Sequence, residues 1–225
     1  MVTAHRPTVS WRTDILPRAT KRALAYLSGE QWLKKSTWYL AGGTALALYI
    51  GHRQSVDLDF FTPQKDFSPG KLLGHFKKQV WVADIVREGT IYGKLCGAKT
   101  SFIAYPYFVP RQPYHWYGAV RMLDPRDITV MKVLAISQRG RKRDFIDLYW
   151  CTQHVEPLID IVKRLPEQYP GVARNFHHII KSLTYFADAE ADPMPKIFFS
   201  ASWRGIKRFF EAEASKAARE LLGIR

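Results

Sequence analysis

Asp57 and Asp59 lie two residues apart in the run Val56-Asp57-Leu58-Asp59-Phe60-Phe61. In an extended strand, side chains at i and i+2 leave the same face, roughly 7 Å apart. Two carboxylates on one face of an otherwise apolar strand repel each other unless a cation lies between them. Mg²⁺ suits oxygen ligands of this kind, singly or as a pair. Upstream, Gly42 and Gly43 separate the apolar run Trp38-Tyr39-Leu40 from the helix-like stretch Thr44 to Ile50. Glycines there let backbone approach a phosphate, and the first N–H groups of the following helix point at it. A phosphate cradle beside metal-binding carboxylates is equipment for nucleotide chemistry.

Further candidates surround this pair. Ser55 precedes the carboxylate strand, where its hydroxyl would bind a phosphate or a metal-bound water, or simply stabilise a turn. Arg53 would hold a triphosphate bidentately, or pair with Asp57 or Asp59. Lys132 falls in the greasy segment Ile128 to Ile136, where a charge is costly unless it is paired or snorkels. There it would reach an acidic pocket and neutralise charge developing on a phosphate. Arg139, Arg141, Lys142 and Arg143 form a dense basic turn suited to a phosphate backbone. Asp144 and Asp147 follow at i and i+3 on one helix face. One reading has Asp144 stabilising the helix N-terminus and Asp147 pairing with an arginine. The other makes Asp147 an acidic group of the site, supplied by a second part of the chain.

AGGTALAL (residues 41–48), HR-x-S-x-DLDFF (52–61) and DITVMKVLAISQRGRKRDFIDLYW (127–150) resemble the nucleotidyltransferase toxins of the AbiEii/AbiGii type. The resemblance covers most of the chain in the same order. It implies an α+β fold: a nucleotidyltransferase-like mixed sheet with flanking helices over residues 1–122, then a helical C-terminal lobe over 123–225. It also implies that a lysine and a later aspartate of the last block belong to the active site. They fall on Lys132 and Asp147. Many polymerase-type nucleotidyltransferases carry a third strand carboxylate, whereas the corresponding strand here offers Lys99, Thr100 and Ser101. Asp84 is available but poorly placed.

The elements that must position these residues follow from pattern. Residues 1–17 read as an extended arm. Helical spacing covers 19–36, with Ser28-Gly29 as an interruption. Strands are expected at 37–41 and around the two aspartates, then at 80–87, 90–97 and 99–108 in hairpin spacing. Residues 109–121, rich in proline and aromatics, read as a packed loop. Asp124 as N-cap, Pro125 at N1 and Asp127 at N3 start a helix over 123–140. Helices broken by Pro166, Pro170 and the loop 191–195 complete the chain.

The totals constrain the partner. Among 225 residues, 34 are basic and 20 acidic, a formal charge of +14 that attracts a polyanion. Two isolated cysteines, Cys96 and Cys151, suit a reducing compartment rather than a disulfide framework. With no apolar leader and no span-length apolar run, a cytoplasmic location without a membrane is expected.

The expected activity is Mg²⁺-dependent transfer of a nucleoside monophosphate from an NTP, with release of pyrophosphate; Mn²⁺ is the alternative metal. Asp57 and Asp59 would hold metal, Gly42, Gly43, Ser55 and Arg53 the phosphates, and Lys132 and Asp147 would complete the catalytic set. The basic turn would hold RNA. By resemblance the acceptor is a tRNA 3′ end, the role that of a toxin in a toxin–antitoxin or abortive-infection system, and the partner an antitoxin. Two other readings are an antibiotic-modifying nucleotidyltransferase and a non-catalytic nucleic-acid-binding protein on a degenerate scaffold.

Overall fold

A computed structural model describes residues 9–171 and 175–223. Residues 1–8 of the expected extended arm lie outside them. The rest of that segment is tied down: Trp11 packs against Tyr49 and Tyr117, and a 3-10 turn spans Thr13–Ile15. The expected first helix is two, α1 (Arg18–Ser28) and α2 (Gln31–Lys35), divided at Gly29.

Strand β1 (Tyr39–Ala41) leads directly into helix α3 (Gly42–Ile50). Strand β2 (Leu58–Thr62) returns antiparallel to β1, placing Ala41 opposite Asp59. After the short helix α4 (Pro69–Leu73), strands β3 (Trp81–Arg87), β4 (Thr90–Leu95) and β5 (Ala98–Ala104) form an antiparallel meander. β5 runs parallel to β2, with Ser101 opposite Asp59.

The proline- and aromatic-rich segment, expected as a loop, contains a hairpin, β6 (His115–Tyr117) and β7 (Val120–Met122). β7 pairs parallel with β1 at Leu40 and Met122. Three-residue strands are too short to show alternation, which is why the pattern hides them. The result is one seven-stranded mixed sheet, ordered β3-β4-β5-β2-β1-β7-β6. β2 and β1 lie inside it, so the aspartate strand is braced on both sides.

Every later regular element described is a helix. α5 (Pro125–Arg139) starts as its sequence requires, with the Asp124 carboxylate accepting from the Arg126 N–H and Pro125 in the first turn. Gly140 closes it in the left-handed conformation, φ 49°. α6 (Lys142–His154) follows at once, then α7 (Leu158–Lys163), α8 (Leu165–Gln168), α9 (Phe176–Ser182), α10 (Ala187–Glu190) and the long α11 (Trp203–Leu222). α5 is flanked by α3, α6, α7 and α9. The buried side chains of the sheet and of these helices form one continuous core.

Alternation in β2 decides which residues reach the site. Leu58, Phe60 and Thr62 point into the core, while Asp59 and Phe61 face a cavity on the other side. Beneath them Phe102 of β5 collects an aromatic cluster, with ring centroids of Trp38, Phe60, Phe76 and Trp81 between 5.0 and 6.0 Å away. Truncating that hub leaves a hole beneath four rings. Phe102→Ala should cost about 3–5 kcal/mol, read as a fall in the urea midpoint with an unchanged slope.

Candidate active site

A cavity of about 460 Å³ opens where β2, β5, α3 and α5 converge. Gly42, Gly43, Arg53, Ser55, Asp57 and Asp59 line it from one side, Lys132, Arg139 and Arg143 from the other. Asp57 sits immediately before β2 rather than within it, and Asp59 is its second residue. The Asp59 Oδ1 accepts a hydrogen bond from the Ser101 hydroxyl at 2.8 Å. Thus Ser101, at the strand position where a third carboxylate was sought, serves the second one. The Asp57 Oδ1 is buried and has no hydrogen-bond partner among the described residues. A buried carboxylate oxygen left bare is costly, and a hard cation is a natural partner for it. The residues present therefore fit a divalent metal held by Asp57 and Asp59.

The double glycine has a steric reason. Gly42 has φ 72°, and a Cβ there would lie 3.2 Å from the Asp59 Oδ2. A Cβ on Gly43 would fall 2.2 Å from the Arg53 Nη2. α3 begins with no side-chain cap, its N-cap being Ala41. Its first N–H groups are therefore available at the cavity wall, as an anion site requires. The Thr44 hydroxyl, instead of capping α3, donates to the Asp57 carbonyl and lies 2.8 Å from the Ser55 hydroxyl. That contact fixes the chain just before the aspartate strand.

Behind the cavity lies a buried ionic network. Asp147 is fully buried, and both its oxygens are taken: Oδ1 by Arg53 Nε at 2.5 Å and His52 Nε2 at 2.7 Å, Oδ2 by Arg53 Nη2 at 2.9 Å and Lys132 Nζ at 2.6 Å. Lys132 also donates to the Asp144 Oδ1 at 2.7 Å, and Arg139 Nε reaches the Asp144 Oδ2 at 3.1 Å. The network joins the expected groups, but with a correction. Asp147 does not face the cavity; it anchors the two cations, Arg53 and Lys132, that do. An ammonium has three donors, so Lys132 keeps one N–H beyond its two carboxylates.

The basic turn divides in the same way. Arg141 and Arg143 are half-exposed, and the Arg143 Nη1 lies 3.5 Å from the Asp57 Oδ2. Arg139 lines the cavity while paired with Asp144. Lys142 corrects the expectation of an RNA contact. It is buried, its ammonium donates to the Glu190 and Asp192 carbonyls, and it lies over the Trp203 ring.

Burial sets the electrostatics. It raises the Asp59 carboxyl above its ordinary value, with Ser101 opposing and Asp57 adding to the rise. For Asp147 burial works the same way, but Arg53 and Lys132 outweigh it and hold the carboxyl well below its usual range. Asp144 is lowered similarly, burial being outweighed by Lys132 and Arg139. Burial lowers His52, with Asp147 only partly offsetting it.

Several wall residues had no strong signal in the sequence. Ser101 belonged to a strand whose period of two places it beside Asp59 once the register is known. Phe61, Tyr92, Ile103, Tyr105 and Met131 supply an apolar wall, and nothing distinguishes them from core residues by type alone. Asp84 also lines the cavity, at the irregularity where β3 shifts register against β4. A bulge re-aims a side chain in this way.

Asp59 on a central strand and Asp57 just before it, beside an uncapped glycine-led helix and a buried lysine, form an arrangement suited to nucleotidyl transfer. Residues 26–90 and 98–223 match the family described as nucleotidyl transferase AbiEii toxin, type IV TA system, and the chain belongs to that family. It is 34% identical over 185 residues to an uncharacterized protein of Aquifex aeolicus (strain VF5), spanning 80% of this chain and 87% of the other. Two solved structures share the fold. A candidate nucleotidyltransferase from H. pylori has a TM-score of 0.53 and 15% identity, covering 93% of this chain and 99% of that one. JHP933 from Helicobacter pylori has a TM-score of 0.52 and 15% identity, covering 92% and 97%.

The network makes stability depend on acid. Asp147 and Asp144 have lower pKa values folded than unfolded, so their contribution is complete above 3.8 and is lost as pH falls below it. His52 is also lowered, so the unfolded chain takes up its proton first and stability declines below 6.5. The urea midpoint should fall in these two stages, and His52→Gln should remove the first. Asp147→Asn leaves Arg53 and Lys132 under-compensated. It should cost on the order of 3–5 kcal/mol at neutral pH, measured by the same titration.

Proposed function

We propose that this nucleotidyltransferase moves a nucleoside monophosphate from an NTP to the 3′ hydroxyl of an RNA, in a Mg²⁺-dependent reaction that constitutes its toxic activity. A tRNA 3′ end is the acceptor that family resemblance favours. The setting would be a toxin–antitoxin or abortive-infection system, with a cognate antitoxin as partner. The observation that carries this reading is the convergence, on one cavity, of the bare Asp57 oxygen, the uncapped α3 N-terminus and the Lys132 ammonium.

The triphosphate lies against α3, where the N–H groups following Ala41 face its oxygens and the absence of side chains at Gly42 and Gly43 lets it approach. Lys132 and Arg53, held from behind by Asp147, balance charge on the phosphates without having to reorganise. Asp57 and Asp59 would hold the divalent ion, which when bound neutralises the α-phosphate and favours ionisation of the acceptor hydroxyl. The 3′ oxygen then forms a bond to the α-phosphorus in line with the departing group. The bond from the α-phosphorus to the bridging oxygen breaks, pyrophosphate leaves with the electron pair, and the hydroxyl proton goes to water. Asp147 takes the part of a positioning residue, in place of the acidic catalytic group expected from the sequence.

Incubation with each labelled NTP, Mg²⁺ and total RNA tests the reading. Label should enter RNA with the wild type and be lost with Asp59→Asn while folding is retained. RNA binding without incorporation of any of the four nucleotides would leave only a binding scaffold.

A further inference from the structure

A second cavity of about 300 Å³ adjoins the first at Asp57. Arg53, Ser55, Asp57 and Arg143 line both cavities, so the two meet at the carboxylate expected to hold metal. The outer wall is made by Arg141 at the start of α6 and by Asp192, Pro193, Pro195 and Lys196 of the loop before α11. That loop is not slack. The Gln54 N–H donates to the Lys196 carbonyl at 2.9 Å, and the Phe198 N–H donates to the His52 carbonyl at 2.8 Å. Residues 196–198 thus pair like a short extra strand with the segment carrying His52 and Arg53, and an isolated bridge links Arg53 and Ile197.

The cations of the cavity wall, with Phe198 just beyond it, have the composition of a single-strand site. Arg141, Arg143 and Lys196 surround it with positive charge. Arg141 and Arg143 are about half-exposed, each holding one carboxylate, Asp192 and Asp57. Lys196 lies over the Phe198 ring, 5.6 Å from its centroid, and 47% of Phe198 is exposed. An exposed aromatic beside cations offers a face for a base and donors for the adjoining phosphate. The nucleotide side of Asp57, by contrast, has the glycine-led helix and Lys132. Because the two cavities share Asp57, an acceptor strand entering through the second would end beside the carboxylate expected to hold metal.

We infer that the second cavity is the acceptor site, which takes the single-stranded 3′ end of a polynucleotide. Its phosphates lie on Arg141, Arg143 and Lys196, and a base near the end stacks on Phe198. This rests on the nucleotidyl-transfer reading and places the acceptor strand within it. The Asp192 carboxylate holds Arg141 until a phosphate displaces it, and the Lys142 N–H keeps Asp192 in place through its other oxygen.

The test uses the full chain and a short 5′-labelled single-stranded RNA, with binding followed by anisotropy across a salt series. Arg141→Ala/Lys196→Ala should weaken binding roughly tenfold or more and reduce the salt slope by roughly two. In the incorporation assay it should raise KM for RNA and leave KM for the NTP unchanged. Phe198→Leu, an exposed change that spares the fold, should weaken binding severalfold while the salt slope stays as in the wild type. Unchanged RNA affinity and slope in both variants would overturn the inference. So would a raised KM for the NTP with RNA affinity unaltered, which would make the cavity a nucleotide subsite. If the wild type incorporates no label, the catalytic reading fails, while the binding arm still decides whether this cavity takes RNA.

Discussion

The cavity depends on a carboxylate that does not line it. Asp147 sits at full burial with a guanidinium, an ammonium and an imidazole on its two oxygens. Alone, any of these charges would be expensive to bury. Together they fix α6 to α5 through Lys132 and to the segment after α3 through His52 and Arg53. Those segments form the walls of the cavity, so its shape is tied to the network. The arrangement also explains why these cavity-lining cations, Arg53 and Lys132, come from such different places: each needs the same anion behind it.

The glycine pair is the other half of that constraint. Arg53 can lie flat on Asp147 only because Gly43 has no side chain, since a methyl group there would overlap the guanidinium. Gly42 leaves the same freedom to Asp59, at a φ that most residues avoid. A motif read from the sequence as a phosphate cradle therefore has two duties. It exposes N–H groups to the cavity and makes room for the ionic network beneath it. Asp144 extends the network to Arg139, so the last turn of α5 and the first of α6 close around the same charges.

What the sequence made legible followed from local rules. The alternation around Asp57 and Asp59, the Gly-Gly step and the Asp124-Pro125 helix start each act over a few residues, and each yielded the right kind of element. The family blocks added the association of Lys132 with Asp147. The rest depended on register or on side-chain direction. β6 and β7 were hidden because three residues show no period, and Ser101 because its pairing with Asp59 is set by sheet order. The partition of the basic turn into exposed Arg141 and Arg143 and inward Lys142 follows from how α6 meets the loop at Asp192. No spacing within the turn records that. Asp147 was placed in the right company, but its full pairing was not legible, because i,i+3 spacing says which face a carboxylate shares and not how many cations are already on it.

The local charge balance also bears on the kind of acceptor. Five basic side chains line the first cavity (Arg53, Lys99, Lys132, Arg139 and Arg143) against three carboxylates, Asp57, Asp59 and Asp84. The carboxylates behind the wall, Asp144 and Asp147, temper this excess on Lys132, Arg53 and Arg139. An NTP brings several negative charges of its own and suits such a wall. A polycationic antibiotic would meet Arg143 at Asp57 and, just beyond, Arg141 and Lys196. An aminoglycoside acceptor needs carboxylates where this chain presents cations. The same cations lower the cost of bringing a second polyanion beside the first, so the field that argues against a cationic small molecule is the one that an RNA end requires.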